Sequence, residues 1–165
     1  MPSIHHRAPG PIAAASEREN VFAELIGDGL HVHPAAARLA FKLFPERIVL
    51  VSDALRCCGM PDGEYELGGQ RVFLSGSRAE LADGTLAGGA VNLFDGLRTV
   101  ISWGVDPADA IRAATVRPAR QIGAADRAGS IRDGMPADFL VCGEGLALRE
   151  VHLADGTMYA GEKTR

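Results

Sequence analysis

The side chains best placed for chemistry in this chain stand just beyond two apolar runs. Asp53 follows Arg47–Val51, a run rich in β-branched residues, and Asp28 and His31 follow Val21–Ile26. In parallel α/β folds the working groups gather at the C-terminal ends of strands. A carboxylate at such a strand end stands where a general base is needed. The same Asp could simply cap the following loop by accepting backbone N–H groups.

His31-Val32-His33 is a His-x-His pair. On a strand, positions i and i+2 share a face, so both imidazoles could bind one metal. Otherwise one ring enters a pocket and the other meets solvent beside Pro34. His5 and His6 are adjacent in a loop, where surface or substrate contact is more natural than a shared metal. Arg7 follows them in His-His-Arg-Ala-Pro-Gly-Pro. A guanidinium in a rigid Pro/Gly loop suits an anion such as phosphate, although a lone loop arginine is ordinarily solvated. The stretch Gly84–Gly89 offers unhindered backbone groups to a ligand but has no Gly-Lys-Ser/Thr, so it is not a P-loop. Cys57-Cys58 lack a Cys-x-x-Cys partner. Phe94, Leu97 and Trp103 are core candidates.

The elements that would position these groups follow from pattern. A short helix is expected around Ile12–Ala15. Pro34 can open a helix over Ala35–Phe44, where Ala36, Leu39, Ala40 and Leu43 recur at helical spacing. Two apolar strands separated by a helix read as a βαβ unit with a covered parallel sheet. Residues 54–63 read as a long loop. Tyr65–Leu67 and Arg71–Leu74 across Gly68-Gly69 read as a β-hairpin. A helix follows Gly89, with Val91, Phe94, Leu97, Val100 and Ile101 on one side. Asp106-Pro107 then opens another, with Asp as N-cap and Pro at the first position, running to about Thr115. Beyond residue 131 the pattern changes to short strands: one after Gly134, then Val151–Leu153 and Met158–Ala160, with turns at Gly143–Gly145 and Asp155-Gly156. The final Glu162–Arg165 reads as a frayed tail.

Composition bounds the class. The chain has 165 residues, 47% hydrophobic and 23% charged, which is globular. A net charge of −4 argues against non-specific nucleic-acid binding. There is no apolar run of the roughly 18 residues that span a bilayer, and no signal-peptide pattern, so a cytoplasmic location is expected. Three cysteines, two of them adjacent, make no disulfide framework.

Several of these pieces occur together in one family. Met1–Pro11, Glu24–Val32 (Glu-Leu-Ile-Gly-Asp-Gly-Leu-His-Val), Val49–Ala54 (Val-Leu-Val-Ser-Asp-Ala) and Asp83–Gly88 resemble the N-acetylglucosamine-6-phosphate deacetylases. Ala114–Gly123 and Gly129–Asp138 resemble the broader amidohydrolase C-terminal signature. The resemblance implies the C-terminal part of a (β/α)8 TIM barrel over residues 1–130, and C-terminal strands of a small β-sandwich over 131–165. A complete barrel takes about 250 residues, so this chain is expected to be a fragment.

The resemblance further implies that Asp53 is the catalytic aspartate. Its role would be to take a proton from a metal-bound water and deliver it to the leaving amine. It makes Asp28, Gly29, Leu30 and His31 a substrate-binding loop, with His31 near the scissile amide. Leu86, Ala87 and Gly88 would lie along the acetyl group. Arg7 would bind the sugar phosphate from the neighbouring subunit of a homodimer. The divalent metal, zinc or similar, is held in the family by a Glu and two histidines that would all precede Met1. The isolated chain is therefore expected to have little or no activity. Departures from the family pattern are Ser52 for Thr, His33 for Asp and Gly89-Ala-Val for Ser-Ala-Leu-like residues. Competing readings are another amidohydrolase (dihydroorotase-like or isoaspartyl-dipeptidase-like), a non-catalytic sugar-phosphate-binding remnant, and an unusual metal site of His31, His33 and Asp53.

Overall fold

The computed structural model describes residues 4–160. Met1–Ser3 of the first motif and the C-terminal tail lie outside the described residues. The chain divides into two compact units between Ala114 and Thr115.

The first unit is built on the expected βαβ. Strand β1 (Ala23–Ile26) pairs in parallel with β2 (Ile48–Val51), with Ala23 opposite Ile48 and Ile26 opposite Val51. Helix α1 (Gly10–Ser16) precedes them, and α2 (Pro34–Leu43) connects them. Ile48, Val49 and Leu50 are all buried, as a strand covered on both faces requires. Helices α3 (Leu93–Ser102) and α4 (Pro107–Ala114) pack on β2, contributing Leu97, Val100, Ala110 and Ala113 to the core. The caps follow the sequence. His33 Nδ1 accepts from Ala35 N–H at the start of α2, Asn92 from Asp95 N–H at α3, and Asp106 from Asp109 N–H at α4. No closed barrel is formed by the described residues, whose parallel strands are β1 and β2.

Between β2 and α3 the chain makes a four-stranded antiparallel meander: β3 (Gly63–Leu67), β4 (Gln70–Ser75), β5 (Arg78–Leu81) and β6 (Leu86–Gly89). The predicted hairpin is β3–β4, closing with Leu67 opposite Gln70. Strands β5 and β6 escaped the pattern because each is four residues long and neither alternates over enough positions to be read. One face of the meander buries Cys57, Val72, Leu74 and Ala79, with Leu55, Tyr65, Leu81 and Ala87 against them. Cys57 is thus a core side chain and a free thiol.

The second unit holds helix α5 (Val116–Gln121) and an antiparallel sheet of β7 (Phe139–Cys142), β8 (Leu148–His152) and β9 (Met158–Ala160). Helix α5 was not expected, because Pro118 looked like a stop. Pro118 sits within the first turn, where a missing N–H breaks no helical hydrogen bond. Gly129 packs against the start of α5: a Cβ there would lie 2.7 Å from the Thr115 carbonyl oxygen.

Arg47, one residue ahead of β2, ties the N-terminal segment to the sheet. Its guanidinium donates to the carbonyls of Ala15, Ser16, Arg18 and Val21. These include the last carbonyls of α1, which have no partner within the helix, and a cation there also meets the negative end of the helix dipole. Replacing Arg47 by Ala should cost about 2 kcal/mol, the scale of charge-assisted bonds to partly buried acceptors. It should also raise hydrogen exchange selectively in residues 10–21. Unchanged exchange there would mean that α1 is held by something else.

Candidate functional site

The registers of β1 and β2 align the two predicted strand-end groups. Ile26 is opposite Val51, and Asp28 and Asp53 each stand two residues further on. The loops at this end of the parallel pair therefore carry Asp28–His31 on one side and Asp53 on the other.

Asp53 is exposed, and its backbone is left-handed, at φ 50°. Such a conformation is sparse for non-glycine residues, although Asp tolerates it better than most. The neighbour that fixes it is Gly89. Gly89 N–H donates to the Asp53 carbonyl at 2.8 Å, and Leu55 N–H donates to the Gly89 carbonyl at 2.8 Å. Ala54 and Gly89 form a parallel bridge, so β6 runs beside the chain as it leaves β2. The approach is too close for any side chain: a Cβ on Gly89 would lie 2.4 Å from the Ser52 carbonyl oxygen and 3.1 Å from that of Asp53. The structure thus brings the end of β6, Gly88 and Gly89, up to the Asp53 backbone; Leu86–Gly88 is the segment expected to meet the substrate. The Gly89 backbone groups are spent on this link and are not offered to a ligand.

Asp28 organises the other loop. Its Oδ1 accepts from Leu30 N–H at 2.9 Å and from His31 N–H at 3.0 Å, and its Oδ2 meets His31 Nδ1 at 2.7 Å. Gly29 supplies the positive φ of 84° that this turn needs. The Asp28 side chain is 2% exposed and that of His31 21%. Burial pushes the Asp28 carboxyl up, but the hydrogen bonds from His31 and Leu30 outweigh it and hold the group below its ordinary value. Gly27 lets helix α3 close against this loop, since a Cβ there would stand 2.9 Å from the Gly96 carbonyl oxygen.

Other predicted residues fall elsewhere. His31 and Val32 are in a bend, not a strand, and His33 is the N-cap of α2. The premise that placed both rings on one face therefore fails. Among the described residues no group of three His, Cys, Asp or Glu side chains is arranged to hold a metal, so the residues present do not fit the divalent ion that the family resemblance implies. Arg7 lies in an exposed turn, its guanidinium against His6 Nε2 at 2.9 Å; its partner is not a residue of the strand-end cluster. A shallow depression of about 290 Å3, lined by Arg38, Phe41, Lys42, Val105 and Asp106 among others, contains none of the predicted site residues. Sequence reasoning missed Gly89 as the residue that sets the Asp53 backbone. A glycine directly after a glycine, at the end of an apolar stretch, was the available signal.

Two expectations test this geometry. Gly89→Ala should lower the urea midpoint by an amount equivalent to about 1–3 kcal/mol, the cost of forcing atoms into a packed site; an unchanged midpoint would show that the link yields easily. Because folding lowers the Asp28 pKa, the unfolded chain binds that proton more tightly. Asp28 therefore stabilises the fold above the ordinary carboxyl range, about 3.9, and that stability is lost as pH falls through this range towards the folded value. Asp28→Asn should be less stable than the parent near neutrality, with the difference shrinking in acid. A difference constant from pH about 7 down to about 2.5 would contradict the assignment.

The profile of the amidohydrolase family matches residues 30–156. A relative from Escherichia coli K12, provisionally named as an N-acetylgalactosamine-6-phosphate deacetylase, is 39% identical over 152 residues, covering 92% of this chain and 91% of the relative. The N-acetylglucosamine-6-phosphate deacetylase of Bacillus subtilis is 40% identical over 147 residues, but this chain spans only 36% of its length. A structure of the Mycobacterium smegmatis N-acetyl-D-glucosamine-6-phosphate deacetylase, an aspartate-to-alanine mutant in complex with N-acetyl-D-glucosamine-6-phosphate, superposes with a TM-score of 0.87 at 34% identity. That match covers 96% of this chain and 42% of the other.

Proposed function

We propose that this chain, which belongs to the amidohydrolase family, supplies the catalytic aspartate and the substrate-facing loops of an amino-sugar 6-phosphate deacetylase. The reaction is hydrolysis of N-acetylglucosamine 6-phosphate to glucosamine 6-phosphate and acetate. The observation that carries the reading is the placement, in the loops at the same end of the parallel β1–β2 pair, of an exposed carboxylate on a constrained backbone, Asp53, and a carboxylate-bound imidazole, His31.

In this reading Asp53 accepts a proton from the attacking water and returns it to the amine nitrogen as the amide C–N bond breaks. His31 approaches the scissile amide, and β6 lines the acetyl group along Leu86–Gly88. Arg7, exposed in its turn, serves the sugar phosphate in the neighbouring subunit of a homodimer. The parallel βα part extends to residue 130, and the antiparallel strands from 131 onward contribute to a separate β-sandwich. Since the described side chains assemble no metal site, no step is assigned to a metal on this chain. Helices of the described residues are too short and polar to cross a membrane.

A second substrate has specific support. The 39% identity to the E. coli K12 relative matches the 40% identity to the B. subtilis one, so the C4 epimer, N-acetylgalactosamine 6-phosphate, is an equal candidate.

The purified chain with added Zn²⁺ should turn over neither sugar. A chimera in which it replaces the matching part of the B. subtilis enzyme should deacetylate at least one of them, and Asp53→Asn should reduce kcat by about 100-fold or more. Turnover by the isolated chain would overturn the fragment assignment. Chimera turnover that survives Asp53→Asn would overturn the role of Asp53.

A further inference from the structure

We propose that Asp28 is a positioning residue that holds His31 in the Nδ1–H tautomer, so that Nε2 alone faces the ligand, and that Asp28 does not itself touch the sugar. The catalytic relevance rests on the deacetylase reading; the tautomer does not.

The geometry leaves Asp28 little capacity for a substrate. Oδ1 already accepts two backbone N–H groups, and Oδ2 is taken by the imidazole at 2.7 Å. With 2% of its side chain exposed, the carboxylate is buried behind a half-buried ring. An ionised carboxylate can only accept, so the proton of this bond must sit on His31 Nδ1. Nε2 has no partner among the described residues and is the atom left for a ligand. The scaffold beneath is stiff as well. The turn needs the positive φ of Gly29, and Gly27 is in close contact with the Gly96 carbonyl.

His33, two residues away, shows the opposite arrangement. Its Nδ1 accepts from Ala35 N–H at 3.2 Å, so a neutral His33 carries its proton on Nε2. The two rings are therefore expected in opposite tautomers within one loop, and His33 is an internal control.

Long-range ¹H–¹⁵N correlation spectra of the uniformly labelled full chain, recorded where imidazole is neutral, report each tautomer directly. The expected result is Nδ1–H for His31 and Nε2–H for His33. In Asp28→Asn, Oδ1 still accepts the two backbone N–H groups, which turns the amide nitrogen towards the ring. That nitrogen donates to Nδ1, so His31 should switch to Nε2–H while His33 stays unchanged. Asp28→Glu should restore Nδ1–H. The proposal is overturned if wild-type His31 is Nε2–H, or if its tautomer survives Asp28→Asn. The wild-type spectrum decides even if a variant does not fold. In the chimera, Asp28→Asn should lower kcat by about 10- to 100-fold with KM changed less than about twofold. A rise in KM at constant kcat would make Asp28 a substrate contact and overturn the proposal. The spectra settle the tautomer whether or not the chimera turns over, so failure of the deacetylase reading and failure of this one are separable.

Discussion

Two backbone hydrogen bonds, from Gly89 N–H to the Asp53 carbonyl and from Leu55 N–H to the Gly89 carbonyl, join the parallel β1–β2 pair to the antiparallel meander. Their presence depends on a missing atom, because a Cβ at Gly89 would overlap the Ser52 carbonyl. Around this link the first unit arranges itself. The meander folds back over Cys57, Val72 and Leu74, β6 arrives beside the end of β2, and α3 follows β6 after a link of three residues. The turn that makes room for β6 also puts Asp53 into a left-handed backbone at the mouth of the strands.

The loop after β1 reaches comparable order by different means. There a buried carboxylate substitutes for strand pairing, gathering two backbone N–H groups and one imidazole. Burial pushes the carboxyl up, but the hydrogen bonds from the His31 and Leu30 backbone N–H groups and from the imidazole outweigh it and hold the group below its ordinary value. One strand end is thus fixed through the main chain and the other through a side chain. Together they present Asp53 and His31 from neighbouring strands, with no metal site among the described residues to join them.

Much of this was legible in the residues. The apolar runs before Asp28 and Asp53, the Pro34 and Asp106-Pro107 helix starts and the Gly68-Gly69 hairpin are local signals, and local structure follows them. Three features were not legible, each for a physical reason. β5 and β6 are too short to show a period, and β6 is held by a long-range contact between residues 53–55 and 89. Helix α5 contains Pro118 at a position where proline does no harm. The His31-Val32-His33 pair suggested a shared face, but Asp28 captures one ring and the start of α2 captures the other, so a local capping demand prevailed over strand geometry. The aspartate at position 28 could be singled out as a candidate, whereas its grip on His31 could be seen only once the turn at Gly29 was known.

The left-handed backbone at residue 53 bears on how this chain could drift over generations. Glycine would relieve about 1 kcal/mol of that strain, and asparagine would accommodate the conformation as readily as aspartate. A single base change turns an aspartate codon into a codon for either one. Selection for folding alone would therefore not keep an acid at position 53, and could favour its loss. A lineage under no demand for a carboxylate at this position has an easy downhill route away from Asp53, one that leaves the Gly89 link and the surrounding core undisturbed.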